Sequence, residues 1–131
     1  MSIKVAVIGE CMTELSESKT DLVRHFGGDT LNTAVYLTRA NPELAVHYVT
    51  AMGTDAISGA MMAEWQREGD HTDLVQRLDH KLPGLYLIET DEQGERTFHY
   101  WRSDAAARYW LQGPEANPVC QQLRGFDYLY L

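Results

Sequence analysis

Residues 27–39 read GGDTLNTAVYLTR, and the fold follows from how they are read. Two glycines close a loop and a helix begins at once, with Asp29 and Asn32 in its first turn. A helix start presents unpaired backbone N–H groups and the positive end of the helix dipole. Such a place attracts anions. Asp29 puts a carboxylate there, which a phosphate loop would not gain from. A carboxylate beside a carboxamide suits hydroxyl groups, since Asp accepts and Asn both donates and accepts. The segment therefore reads as a polyol or sugar site. The same residues also serve an ordinary helix start, with Asp29 as N-cap and the glycines making the turn.

On either side, strands and helices alternate. Ile3–Ile8 is a β-branched apolar run ended by Gly9, which predicts a strand buried on both faces. Short strands are expected at Glu14–Ser16 and Leu22–Phe26. The helix from Thr30 to Ala40, with Leu31, Ala34, Val35 and Thr38 on one face, stops at Asn41-Pro42. Val46–Ala51 is a second buried strand. Ala56–Glu68 is a helix ended by Gly69, with Ile57, Ala60, Met61 and Trp65 as its apolar stripe. Leu74-Val75 is a possible short strand. Leu85–Thr90 and Arg96–Arg102, joined by the turn residues Asp91–Gly94, form a hairpin. Short helices are expected at Ala105–Trp110 and at Pro114–Arg124, and a buried strand at Tyr128–Leu131. This alternation predicts an α/β sheet with right-handed crossovers. The 84–102 hairpin does not fit inside that sheet. It is expected to project and to pair with the strands near 13–26 as a small second sheet over the site. A core strand with nothing beyond it is unusual for a domain end. It leads to the expectation that the 131 residues are the front part of a longer architecture.

The chain has 44% hydrophobic residues, enough for one domain with a core. Nineteen acidic residues against 11 basic ones give a net charge of −8. That balance argues against nucleic-acid binding, which needs clustered Lys and Arg. No segment approaches the length of a membrane span. Cys11 and Cys120 lie far apart and read as two free thiols in a reducing cytoplasm. No Cys/His cluster marks a metal site, and His71, Asp73 and His80 read as surface residues. The phosphate-binding motif GxxxxGK[ST] and the dinucleotide motif GxGxxG are both absent.

Ligands of open α/β sheets sit beyond the carboxyl ends of the strands. Glu14, five residues past Gly9, can reach the same place as Asp29, or stand as an ordinary solvated acid. Tyr100 and Arg102 are two apart on one strand and share a face. An Arg that forks onto a carboxylate beside a Tyr that donates a hydroxyl suits a sugar acid. Phe98 and Trp101 are placed on the opposite or adjoining surface. Arg108 is a weaker candidate for the anion.

In order along the chain, VIGE, GGDTLNTAVYLTR, VTAMGTDAISG and GLYLIETDEQGERTFHYWR resemble the segments of the ribokinase-like, or PfkB, family of sugar kinases. The resemblance spans residues 1–131. It implies a ribokinase-like fold, with a central mostly parallel sheet, flanking helices and a small β lid near 13–26 and 84–102, truncated here. Within the family, GGDTLNTAVYL and FHYWR look most like 2-dehydro-3-deoxygluconate kinases. A fructokinase or other sugar kinase is the alternative inside the family, and a non-catalytic sugar-acid-binding remnant the alternative outside it. The resemblance implies ATP and Mg as donor and cofactor, and a small sugar acid as the bound molecule. It implies that Gly28, Asp29, Asn32 and Glu14 bind substrate, with Tyr86, Tyr100 and Arg102 closing from the lid and Arg102 on the carboxylate. The family's catalytic Asp and glycine-rich anion hole match no segment here, so no catalytic residue is assigned. Open sheet edges lead to the expectation of a homo-oligomer.

Overall fold

The run KVAVI, Lys4–Ile8, is strand β1, and Val5–Ile8 are all buried. It sits in the middle of a parallel sheet because both of its faces are apolar, which only a strand covered on two sides satisfies. The computed structural model describes residues 2–114 and 116–131. After β1 the chain forms β2 (Met12–Ser18), β3 (Asp21–Gly27), α1 (Asp29–Ala40), β4 (Ala45–Val49), β5 (Ala51–Gly53) and α2 (Ala56–Glu68). Then follow β6 (Gln76–Leu78), β7 (Leu85–Thr90), β8 (Arg96–Trp101), a 3-10 turn at Ala106–Tyr109, α3 (Ala116–Leu123) and β9 (Tyr128–Tyr130).

The central sheet has the order β4-β1-β9, all parallel. The expected strand Val46–Ala51 is divided at Thr50 into β4 and β5, and β5 pairs in parallel with β6. His71 bridges to His47, and Gln76 N donates to Thr50 O (3.0 Å). Residues 71–78 therefore run beside 45–53 as a further parallel line. One face of the sheet packs Val5, Val7, Val46 and Tyr48 against Leu31 and Ala34 of α1 and Met61 and Trp65 of α2. The other face sets Ala6, Ile8 and Val49 against Leu74 and Val119 of α3. Helices on both faces give the doubly wound arrangement that the βαβ alternation requires.

Local chemistry fixes α2. The Asp55 carboxylate caps it, accepting from Ser58 N (3.0 Å) and Ser58 Oγ (2.7 Å), and Gly69 ends it in the left-handed region at φ 97°. Ser58 Oγ in turn accepts from Gly53 N at 3.0 Å. These bonds hold Ser58 inside and leave Ile57 36% exposed, so Ile57 is not part of the buried stripe. In α1 the N-cap is Gly28, with no side-chain cap, rather than Asp29. Asp29 is already helical, and its Oδ1 accepts from Thr30 N at 2.7 Å. Leu74 belongs to the core, and its strand begins only at Gln76. The Pro114–Arg124 helix is seen as α3, and its Glu115 lies outside the described residues. The Tyr128–Tyr130 strand forms, but it is exposed, because among the described strands it pairs only with β1 at the sheet's edge.

A second sheet has the order β3-β2-β7-β8. Its two antiparallel hairpins, β2–β3 and β7–β8, join through a parallel β2–β7 pairing. In the β7–β8 turn, Asp91 Oδ1 accepts from Gln93 N and Glu95 N (both 2.9 Å), and Gly94 takes φ 84°. Side chains of one cross-strand row share a face. One such row is His25, Glu14, Tyr86 and Tyr100.

The two sheets meet where β1 ends. A Cβ at Gly9 would lie 2.1 to 2.6 Å from three heavy atoms of the Thr30 side chain. Thr30 is itself held by Tyr48, with Thr30 Oγ1 and Tyr48 Oη 3.0 Å apart in the core. Gly9→Ala is expected to lower stability by about 1–3 kcal/mol, the usual cost of forcing a methyl into a packed interior. Urea unfolding of the variant against the parent reads this directly; an unchanged midpoint would show that α1 can yield.

Candidate active site

The turn after β1 places Glu10 between the start of α1 and the β7–β8 hairpin. A Cβ at Gly28 would lie 2.5 Å from Glu10 O, and one at Gly84 would lie 2.6 Å from Glu10 Oε2. Three glycines, Gly9, Gly28 and Gly84, thus let the β1 exit, the α1 N-terminus and the root of β7 close to contact. Arg102, directly after β8, reaches into this gap, and its Nη2 donates to Glu10 Oε1 at 2.5 Å. The Glu10 side chain is only 14% exposed. Its other oxygen, Oε2, is buried with no hydrogen-bond partner among the described residues. Burial pushes the Glu10 carboxyl up from its ordinary value, and Arg102 and then Arg108 pull against that rise.

Beside this pair lies the tyrosine row. Tyr86 Oη donates to Glu14 Oε1 at 2.7 Å. Burial first, and then this bond to a carboxylate, raise the Tyr86 phenol well above its ordinary value. Tyr100 lies next to Tyr86, with ring centroids 5.8 Å apart. Phe98 also lies on this face, nearly parallel to Tyr100 at 6.4 Å, rather than opposite it. Residues two apart on a strand must share a face, so Phe98 and Tyr100 do so, and Trp101 takes the other. A Cβ at Gly27 would lie 2.5 Å from Tyr86 Oη, so Gly27 leaves this phenol room.

The structure therefore brings Glu14, Tyr86 and Tyr100 into one row, and sets Arg102 and Gly28 around Glu10. Asp29 and Asn32 stand exposed on the first turn of α1. Asp29 has one oxygen engaged by Thr30 N, and Asn32 borders a shallow recess with Phe26 and Arg39. Glu10 is the residue that sequence reasoning missed. Its only signal was its place directly after the β1 glycine. Arg102 also borders a recess of about 670 Å³, with Trp101, Leu82, Ile57 and Arg108 among its walls.

Residues 2–131 match the pattern described as pfkB family carbohydrate kinase. The chain belongs to that family. It is 67% identical over 129 residues to a 2-dehydro-3-deoxygluconokinase of Dickeya dadantii, covering 97% of this chain and 42% of that protein. It is 57% identical over 133 residues to a 2-dehydro-3-deoxygluconokinase of Escherichia coli, covering 100% of this chain and 43% of that one. The chain thus spans well under half the length of the curated relatives it matches. A crystal structure of 2-dehydro-3-deoxygluconokinase from Thermotoga maritima superposes with a TM-score of 0.78. It is 21% identical and covers 97% of this chain and 40% of that one, a likeness in fold. The ribokinase-like fold expected from the sequence is the fold observed. Among the described residues, no helix of this pfkB chain is long and apolar enough to cross a membrane.

The buried Glu10 carboxyl gives the site a pH dependence. Its folded pKa lies above the unfolded one, so the native state holds this proton more tightly than the unfolded chain does. Its contribution to stability is then greatest below the ordinary carboxylate pKa and falls as pH rises through the folded value. Glu10→Gln should remove that fall. Urea midpoints taken from about pH 4 to about pH 7 should move in the variant's favour relative to the parent as pH rises. A constant difference would mean that Glu10 titrates as in the unfolded chain.

Proposed function

We propose that this chain is the substrate-holding part of an ATP-dependent kinase for 2-dehydro-3-deoxy-D-gluconate. The observation that carries the reading is the Arg102–Glu10 pair. A guanidinium at the edge of the lid already grips a carboxylate, beside two tyrosines and a helix start. A sugar acid offers the same group to the same donor, and Arg matches a carboxylate with two parallel N–H bonds. Tyr86 and Tyr100 supply a rigid polar face for the sugar, with Glu14 holding the Tyr86 hydroxyl. The Gly28, Asp29 and Asn32 start of α1 faces substrate hydroxyls with backbone N–H groups and two polar side chains. A neutral sugar offers Arg102 no carboxylate beyond that of Glu10, which sets a fructokinase reading second.

ATP with Mg is the phosphoryl donor that the family implies. The gap around Glu10 and Tyr86 does not fit a triphosphate. Gly84 abuts the Glu10 carboxylate, Gly27 lies beside Tyr86 and Glu14, and Gly28 abuts the Glu10 carbonyl, so the openings they leave are bordered by carboxylate and carbonyl oxygens. We assign no ATP contact and no catalytic base to these residues. Their part of phosphoryl transfer is positioning, on which that reaction depends heavily. A cytoplasmic setting belongs to the same reading, with Cys11 buried and Cys120 exposed, both as free thiols.

Calorimetry on the chain should show binding of 2-dehydro-3-deoxygluconate and none of fructose or ATP. A coupled assay with ATP should show no turnover. Arg102→Ala should weaken sugar-acid binding about 10- to 100-fold, the value of one hydrogen bond to a charged group. Fructose binding as well as the sugar acid, or an indifferent Arg102→Ala, would sink the reading.

Self-association is part of the proposal. The edges β3 and β8 carry open backbone groups, with Leu22 at 57% and Trp101 at 59% exposure. Sedimentation at micromolar concentration should show dimers or larger species; a monomer would count against association through the lid.

A further inference from the structure

Strand β4 carries a histidine on the face turned away from α1. His47 lies between Val46 and Tyr48, which face the α1 side, and its ring packs edge-on against Phe126 at 4.8 Å. Histidine in the middle of a buried parallel strand is unusual, and its neighbours are unusual too. His71, held to β4 by a β-bridge and by the bonds His71 N to Val46 O (2.8 Å) and Tyr48 N to His71 O (3.0 Å), stacks on it with centroids 4.6 Å apart. Asp73 Oδ1 stands 2.9 Å from His47 Nδ1. The His47 side chain is 10% exposed, and its buried Nδ1 has no aligned hydrogen-bond partner among the described residues although the Asp73 carboxylate stands beside it. A buried ring nitrogen beside a carboxylate, with a second imidazole against it, is a donor set of the kind a divalent cation takes.

We propose that His47, His71 and Asp73 form a binding site for a divalent transition-metal cation, with Zn2+ the best match. One ligand atom from each residue lies within 4.8 Å of the others. A tetrahedral ion with bonds near 2.0 Å needs these atoms about 3.3 Å apart. His71 must draw in and Asp73 Oδ1, 2.9 Å from His47 Nδ1, must move slightly out, and both residues are exposed and able to turn. Two imidazoles and one carboxylate are the ligand types zinc takes, and three protein ligands leave one position open to water. The ion would sit at the wall of a recess of about 870 Å³ that also includes Lys4, Gln66 and Asp70. Lys4 opposes a cation, but its ammonium lies over the Phe126 ring at 4.8 Å, and Asp73 and Asp70 bring negative charge. The site is independent of the Arg102–Glu10 recess. It would clamp the edge of the sheet, tying the segment after α2 to β4.

The test starts from chain stripped with EDTA and titrated with ZnCl2 by calorimetry. One Zn2+ per chain is expected. His71→Ala and Asp73→Asn should each weaken binding by more than about tenfold, and His80→Ala should leave it unchanged. Nitrogen-15 NMR of the parent imidazoles guards against variants that fail to fold. Zn2+ should move the ring nitrogens of His47 and His71. No binding by the parent, binding that survives both ligand variants, or movement at His25, His80 or His99 instead would overturn the proposal.

Discussion

The site depends on how closely the first turn of α1 can lie on the last turn of β1. Gly9 admits the Thr30 side chain, Gly28 admits the backbone of Glu10, and the Thr30–Tyr48 contact ties both to the next strand. With a Cβ at either glycine the helix start would move away from the strand end. Glu10 would then leave the gap in which Arg102 finds it. Carboxylate, guanidinium and helix N-terminus meet here because three glycines take up no room, not because these groups attract one another strongly. The desolvation that raises Glu10 outweighs the pull of Arg102 on its charged form.

The second sheet is built differently from the central sheet it adjoins. Its strands are mostly exposed, with β8 exposed at every residue, and Ile88 is the apolar residue of β7 and β8 that is buried. Such a sheet contributes little to global stability and belongs at the low end of local stability, where ligand-binding elements are usually found. Its coherence comes from the β2–β7 pairing and from the Tyr86–Glu14 hydrogen bond across that pairing.

Much of this was legible from local sequence. Asp55 and Gly69 mark both ends of α2, and Asp91–Gly94 mark the β7–β8 turn, because caps and turns are made by residues close in the chain. That Tyr100 and Arg102 sit two apart at the end of one strand, across a hairpin from Tyr86, was legible from strand period and turn chemistry. Glu10 was not, since its meaning lies in Gly84 and Arg102, far along the chain. His47 was hidden for the same reason. A strand histidine carries no signal until register places His71 beside it. Ile57 misled because periodicity counts hydrophobicity and not the hydrogen bonds that hold Ser58 inside.

Strand β1 lies between β4 and β9, and β9 is the last element of the chain. In synthesis from the N-terminus, β1 is therefore made well before β9, the second of its two described neighbours. Until residues 128–130 appear, one edge of the most apolar strand stands open. The β9 register is then set by a reciprocal pair at its root. Asp127 N donates to Lys4 O (2.9 Å), and Lys4 N donates to Asp127 Oδ2 (2.8 Å). The β1–β9 pairing spans the longest stretch of sequence among the described strand pairs, the slowest kind of contact to form, and a nascent chain is open to pairing with a neighbour during that interval.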